Sequence, residues 1–190
     1  MGDIANPRIW VNATAFVGPT NATAPTNPTT AMPTVDSDWV TLGLTSEDGM
    51  TESREQEATD HYAHGGILVR TTRSKHKRTL QVIALEDNPI VFDLVNPGSL
   101  AVDDGSLTTR TVKVPNQPNP KSFTLDLADG DVIKRRYIPR GEVTEVGDYA
   151  ITDSEIAAYE LTITVYPTTV GLNEDVLYLD FTNDPQALSA

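Results

Sequence analysis

Cysteine is absent from this chain of 190 residues, and its absence excludes several kinds of chemistry. Without cysteine there is no disulfide, no thiolate nucleophile and no cysteine-ligated zinc site. No stretch approaches the ~18 consecutive apolar residues that mark a membrane-spanning helix. The first ten residues have neither a basic region nor an apolar core, so we expect no secretory signal and no membrane association.

Basic residues are also scarce, because 14 Lys and Arg stand against 27 Asp and Glu, which gives a net charge of −13. A protein this acidic repels nucleic acid over most of its surface. The chain is still apolar enough, at 38% hydrophobic residues, to form a core. We therefore predict one globular domain over residues 1–190 that has no specific affinity for nucleic acid.

Motifs of enzymes are missing from the sequence as well. There is no GxSxG, no phosphate-binding loop and no GxGxxG. His61 and His64 are three residues apart rather than the four of a helical metal pair, and no third ligand is apparent. We expect no enzyme activity, no metal and no cofactor.

Strand patterns are what the chain has in quantity. Tyr159, Leu161, Ile163 and Val165 alternate with polar residues, which is typical of a strand with one buried face. Similar patterns predict seven to nine strands, of which the clearest are Ile9–Val17, Trp39–Leu44, Leu80–Leu85, Thr108–Val114, Ser122–Leu127, Val132–Ile138 and Val176–Phe181. The fold class that we predict is mostly β: two packed antiparallel sheets, as a β-sandwich or an open barrel, with one flanking short α-helix.

That helix has signals at both ends. Asn88 can cap it, and Pro89 suits the first helical position because its missing N–H has no partner there. Ile90, Val91, Leu94 and Val95 follow at helical spacing, and Pro97 with Gly98 ends it.

Three segments lack such patterns. We predict a Thr/Pro-rich arm at 18–37 laid over a surface, a long inter-strand loop at 45–77, and a loose C-terminal tail at 182–190. Loops longer than roughly 12–15 residues are usually functional or disordered. We expect the loop at 45–77 to reach other copies of the same protein.

Two basic runs have more than one interpretation. One runs from Arg70 to Arg78, and the other comprises residues 134–136. They are solvated strand faces, or they bind phosphates, or they meet acidic residues of a neighbouring subunit. Complementary charge of the last kind fixes the register of an interface.

Several of these stretches resemble a known family. The run WVTLGLTSEDGMTES, the pairs Gly65-Gly66 and Arg70-Thr71, and the run LQVIALEDNP occur in that order, followed by RYIPRGEVTEVG and AAYELTITVYP. With the opening IWVNATAFVGP they resemble the major tail protein, or tail tube protein, of long non-contractile-tailed phages that infect actinobacteria. The resemblance covers most of residues 7–185.

The resemblance implies a structural virion protein whose copies, six to a ring, stack into the tail tube through which DNA is delivered. It implies as partners other copies of the chain, the tape measure protein, and the tail terminator and distal tail proteins, with assembly in the host cytoplasm. A loop that contacts the next ring would correspond to the predicted loop, whose candidate interface residues are Glu52, Arg54, Glu55, Glu57, Asp60, His61, Tyr62, Arg70, Arg73 and Lys75. Candidate lumen-facing residues are Glu160, Thr162, Thr164, Thr124 and Asp126.

Two features of the sequence fit this implication. Closing sheets into a ring removes exposed strand edges, which are otherwise an aggregation hazard. An acidic inner wall would keep DNA from adhering. A secreted or surface β-sandwich that binds carbohydrate or acts as an adhesin is the alternative from another class, and the tube of a contractile injection machine is a variant of the first.

Overall fold

The computed structural model describes residues 7–32, 38–114, 117–154, 156–169 and 175–184. Strands dominate these residues, and they contain one short helix, α1. The elements in chain order are β1 (Asn12–Pro19), β2 (Val40–Thr41), β3 (Thr45–Tyr62), β4 (Leu68–Ala84), α1 (Pro89–Val95), β5 (Leu100–Asp103), β6 (Thr108–Thr111), β7 (Lys121–Asp129), β8 (Val132–Val146), β9 (Tyr159–Val165), β10 (Thr168–Thr169), β11 (Asp175–Val176) and β12 (Leu179–Thr182).

Eight of these strands form one antiparallel sheet, in the order β2-β1-β7-β8-β9-β4-β3, with β12 paired to β8. The long strand β8 is shared by two halves of this sheet. Its first part pairs with β7 and β12, and its last part, from Gly141, pairs with β9. A Cβ atom at Gly141 would lie 2.9 Å from Ile163 Cγ2 and 3.0 Å from Phe123 Cδ2, so this position of β8 has no room for a side chain.

The core lies between the two halves and α1. Its buried side chains come from β1 and β7 in one half, from β4 and β9 in the other, and from the helix. They are Ala15, Val17, Leu42, Leu80, Val82, Ala84, Val91, Leu94, Phe123, Leu125, Ile138, Leu161, Ile163 and Val165. The predicted fold class, mostly β and antiparallel with one short flanking helix, is confirmed.

Strand β9 and helix α1 follow their sequence patterns closely. Leu161, Ile163 and Val165 are buried, as their alternation predicts. Asn88 Oδ1 accepts a hydrogen bond of 2.9 Å from Val91 N, and Asn88 Nδ2 donates one of 2.9 Å to Leu42 O. The cap therefore starts the helix and also ties it to the chain next to β2.

Some predicted strand bounds are wrong. Between residues 39 and 44 only Val40 and Thr41 are in a strand, because Gly43 has φ +90° and its turn wraps around the Glu86 carboxylate. The residues predicted as Val176–Phe181 divide between β11 and β12. When strands of only two residues are included, the described residues contain more strands than the seven to nine that were predicted.

The predicted loop at 45–77 is wrong in its secondary structure, because these residues form most of a β-hairpin of β3 and β4. The turn between the strands has Gly65 at φ +92° and Gly66 at φ +78°, which glycine adopts without strain. The sequence lacks apolar alternation here because alternation marks a strand with one buried face. This hairpin exposes both faces.

The described part of the Thr/Pro-rich arm lies on the outer face of the first half of the sheet. Ala22, Met32 and Trp39 form a second buried cluster with Phe16 of β1 and Tyr137 of β8. Residues 33–37 of the arm lie outside the described residues, as do residues 185–190 of the predicted C-terminal tail.

The first residues of that tail are held in place, which differs from the prediction. Thr182 belongs to β12, and Asn183 Oδ1 accepts a hydrogen bond of 2.7 Å from Ile133 N. Among the described residues, no helix has the length and apolar character needed to cross a membrane.

Candidate interaction site: the β3–β4 hairpin

The hairpin extends well past the sheet to which it belongs. Strand β4 pairs with β9 only from Arg78 to Ala84. Beyond Arg78 the described chain provides no third strand, so β3 and β4 continue as a two-stranded ribbon to the turn at Gly65 and Gly66. Ten residues at about 3.3 Å each give the ribbon a reach of about 30 Å.

Very little of the ribbon is buried on its own chain. Every residue from Thr51 to Lys77 is exposed except Gln56 and Thr72, which are half-buried. Isolated two-stranded hairpins are only marginally stable in water. The ribbon therefore leaves two full faces and both strand edges open to another molecule.

Local contacts hold the two strands of the ribbon together. Lys75 Nζ lies 2.9 Å from Glu57 Oε2, and Thr71 Oγ1 donates a hydrogen bond of 2.6 Å to Asp60 Oδ1. Lys75 itself has φ +55° at the point where the register between the strands shifts. An exposed ion pair of this kind contributes about 0–1 kcal/mol, so these contacts set the register rather than anchor the ribbon.

An ionic network anchors the root of the hairpin. Glu52 of β3 bonds Arg78 of β4 and Arg136 of β8, and Arg136 Nε also donates to Asp180 Oδ1 at 2.7 Å. Lys134 Nζ lies 2.9 Å from a carboxylate oxygen of Asp180. The network joins the hairpin to β8 and β12.

The charged groups in this network shift one another's pKa values. Burial alone would raise the pKa of Asp180, but hydrogen bonds and charge from Arg136 and Lys134 hold that pKa below its usual value. Burial alone would likewise lower the pKa of Arg136, but the neighbouring carboxylates of Asp180 and Glu52 raise that pKa. The groups therefore stay ionised, as a structural anchor requires.

The ten interface residues predicted from the sequence all lie on this hairpin, and all are exposed. Two of the acidic ones already have cationic partners within the chain: Glu57 pairs with Lys75, and Glu52 pairs with Arg78 and Arg136. Of the cations in the predicted set, Arg54, Arg70 and Arg73 form no ion pair among the described residues, so these three remain for a second molecule.

The structure separates the five residues predicted to face a lumen. Glu160 of β9 is exposed and Thr162 is half-buried, whereas Thr164 is only 8% exposed and bonds the Thr144 hydroxyl at 2.8 Å. Cross-strand neighbours Thr79 and Gln81 extend this polar face onto β4.

The prediction that Thr124 and Asp126 lie on an open face is wrong, because the arm covers their side of β7. Thr124 is fully buried. Asp126 is bound by the buried Arg135, whose guanidinium also donates to the backbone carbonyls of Asn27 and Thr30, at 2.7 and 2.9 Å. The Thr/Pro-rich composition of the arm does not predict that the arm covers this face of β7.

Sequence patterns also missed two exposed apolar groups. Ile67, Leu68 and Val69 follow the turn of the hairpin and are each more than half exposed. Leu100 and Val102 on β5 are exposed to a similar degree. The only signal in the sequence was a short apolar run directly after Gly65-Gly66.

The histidines of the described residues are not arranged as metal ligands. His61 lies on β3, where its Nε2 is 3.0 Å from Thr72 Oγ1, and His64 lies in the exposed turn. No group of three or more His, Cys, Asp or Glu side chains among the described residues is placed to hold a metal ion.

Two solved structures with a similar fold come from an extracellular contractile injection system. A chain in the extended sheath/tube terminator of an extracellular contractile injection system, PVC, matches with a TM-score of 0.50 at 9% identity, over 94% of this chain and 99% of that one. A chain in the extended sheath-tube complex of the same system has a TM-score of 0.49 at 9% identity, over 93% of both chains. At this identity the first match shows the fold alone.

Among curated proteins, none matches the sequence. The sequence model of one family, described as phage tail tube protein, matches residues 5–183. That match spans the opening strand, the hairpin, the helix and β12, which is nearly the whole chain. This chain therefore belongs to the phage tail tube protein family.

Proposed function

We propose that this chain polymerises into rings, six copies to each, that stack into the tail tube of a long non-contractile-tailed phage infecting actinobacteria. Membership of the tail tube family makes the chain a structural component of a virion tail rather than an enzyme. The ring number, the tail type and the host come from the sequence motifs that resemble that group of phages.

The observation that carries this proposal is the two-stranded ribbon between Glu55 and Lys77. It projects about 30 Å and is exposed on both faces. A marginally stable ribbon of this length contributes nothing to the core of its own subunit. It is stabilised when it lies against further copies of the chain, which bury both of its faces.

Passage of DNA through such a tube requires a wall to which DNA does not adhere. Net charge of −13 supports this in general, because like charge prevents the release of counterions that holds proteins on phosphates. We assign the wall to the polar face of β9, where Glu160 and Thr162 are accessible. Thr124 and Asp126 are excluded from the lumen wall, because the arm covers them.

The same proposal sets the partners. The tape measure protein would occupy the lumen during assembly in the host cytoplasm, and tail terminator and distal tail proteins would bind the two ends of the tube. The tube of a contractile machine remains the closest variant, because the fold is shared with a contractile injection system. Presence or absence of a sheath protein gene beside the coding gene separates the two.

Negative-stain electron microscopy of the purified chain tests the proposal. We expect stacked rings or tubes with a central channel, and six-fold end views in class averages. Sedimentation as a monomer at every protein and salt concentration, with no rings in the micrographs, would overturn it.

A further inference from the structure

The two ends of the molecule differ in a way that the tube itself does not explain. Strand β4 runs from Leu68 at the tip of the hairpin to Ala84, which is about 50 Å at 3.3 Å per residue. The chain passes from Ala84 directly to α1 and then to β5 and β6. The tip and the β5–β6 hairpin therefore lie at opposite ends of the subunit.

The β5–β6 hairpin is fixed to the body by one of its faces. Arg110 on β6 donates two hydrogen bonds, of 2.7 and 2.6 Å, to the Asp87 carboxylate, and its guanidinium lies 5.0 Å from the centre of the Phe92 ring. The cross-strand partner of Arg110 is Ala101, so the neighbouring residues Leu100 and Val102 point away from the body. They are 53% and 59% exposed.

The tip of the β3–β4 hairpin carries apolar side chains of the same size. Ile67, Leu68 and Val69 are 68%, 52% and 67% exposed. Each group alone is small, but together they would bury a compact apolar contact, and apolar burial is the main favourable term in association.

The charges beside these two groups are opposite. Arg70 directly follows the tip and forms no ion pair among the described residues, whereas Arg73 lies on the opposite face of the ribbon, because the strand pairing is regular from Arg70 to Arg73. On the other hairpin, Asp104 lies in the β5–β6 turn, Asp103 alternates onto the side of Ala101, and the cation Arg110 is already neutralised by Asp87.

Those two carboxylates are held in place by their own turn. Oδ1 of Asp103 accepts from Gly105 N at 2.8 Å, and Oδ1 of Asp104 accepts from Ser106 N and Leu107 N at 2.9 and 2.8 Å. Those backbone hydrogen bonds lower the pKa of the Asp104 carboxyl. The fixed anion of Asp104 next to an apolar face matches the free cation of Arg70 next to an apolar tip, and opposite charges of this kind set the register between partners.

We propose that the hairpin tip of one copy binds the outward face of the β5–β6 hairpin of the next copy, Ile67–Val69 against Leu100 and Val102, with Arg70 facing Asp104. This inference rests on the proposed tube, and it names the acceptor of the hairpin. Because donor and acceptor patches differ and lie at opposite ends, the contact is head-to-tail and repeats along an axis without closing as a dimer.

The absence of cysteine makes this contact testable by disulfide trapping in assembled protein. The double variant Leu68→Cys/Val102→Cys should give a ladder of covalent oligomers on oxidation, and Ile67→Cys/Leu100→Cys serves as a second pair in case the first misses the ~7 Å reach of a disulfide. A mixture of the single variants Leu68→Cys and Val102→Cys should stop at the dimer. The control pair Leu68→Cys/Val40→Cys, with the second cysteine on the exposed strand β2, should give no ladder.

Each other outcome has a definite meaning. If the wild type forms tubes but neither pair gives a ladder, the acceptor is wrong while the proposed function stands. Cross-linking of Leu68→Cys with itself would show that tips meet tips, and it would also overturn the inference. If the wild type forms no tubes, the proposed function fails and takes this contact with it.

A charge-neutral variant provides an independent measurement. Asp104→Asn keeps the Oδ1 acceptor that the turn needs but removes the charge. We expect its critical concentration for polymerisation to rise about two- to fivefold, as the loss of one exposed charge contact implies. The matched variant Asp148→Asn, at an exposed position without an ion pair among the described residues, should polymerise like the wild type. Equal critical concentrations for the two variants would contradict the proposed contact.

Discussion

Glu52 on β3 and Arg136 on β8 form an ion pair that connects the root of the projecting hairpin to the opposite half of the sheet. Arg136 is central to it, because its guanidinium also bonds Asp180 and lies 4.0 Å from the centre of the Tyr178 ring. The hairpin is thus firmly held at one end and nearly without support at the other. The predictions below follow from this contrast.

Removal of the arginine should destabilise the whole subunit. Arg136→Met leaves Glu52 and Asp180 without their main partner, and removing one member of a largely buried ionic network costs about 2–4 kcal/mol. Urea unfolding followed by circular dichroism measures this loss. Arg73→Met, at an exposed position without an ion pair among the described residues, is the control and should change the free energy of unfolding by less than ~0.5 kcal/mol.

Acid should weaken the same network. The pKa of Asp180 is lower in the folded chain than in the unfolded chain, so the unfolded state binds a proton first as the pH falls. The stability that this carboxylate contributes is complete above the ordinary aspartate pKa of about 3.9 and is lost as the pH drops through the folded value. The difference in unfolding free energy between the wild type and Asp180→Asn should shrink below about pH 4. A difference that is independent of pH would contradict this prediction.

The arm should depend on one buried cation. Arg135 is 2% exposed on its side chain, and it holds Asp126 and the carbonyls of Asn27 and Thr30 together. Arg135→Met should release the arm, so that thermolysin cuts between residues 20 and 32 much faster than in the wild type. Intact resistance to the protease in this variant would show that the Trp39 and Tyr137 cluster holds the arm without it.

Strand β9, helix α1 and the hairpin show which parts of the fold sequence patterns can predict. Strand β9 and helix α1 were predictable, because burial of Leu161 and Ile163 and the cap at Asn88 leave local signals. The hairpin was not, because a strand with both faces exposed has no apolar period, and only Gly65-Gly66 marked its turn. Thr124 looked like a surface residue by type, and only the tertiary position of the arm buries it.

Assembly should protect the hairpin from hydrogen exchange. In unassembled protein, backbone amides between Glu57 and Arg73 lie in a two-stranded ribbon and should exchange far faster than those of β9. In tubes the same amides should slow by about 100-fold or more, since another subunit would then cover the ribbon. Mass spectrometry of peptides from both states measures the change, with Leu161 and Ile163 as the internal reference.

Shortening the hairpin tests most directly whether it couples the copies. Replacement of residues 57–74 by Asn-Gly joins Gln56 to Lys75 through a tight turn and leaves Glu52, Arg78 and Arg136 in place. Electron microscopy of this variant beside the wild type is the measurement. We expect a folded, soluble subunit with the circular dichroism of the wild type that forms no tubes, and tubes like those of the wild type would contradict the account.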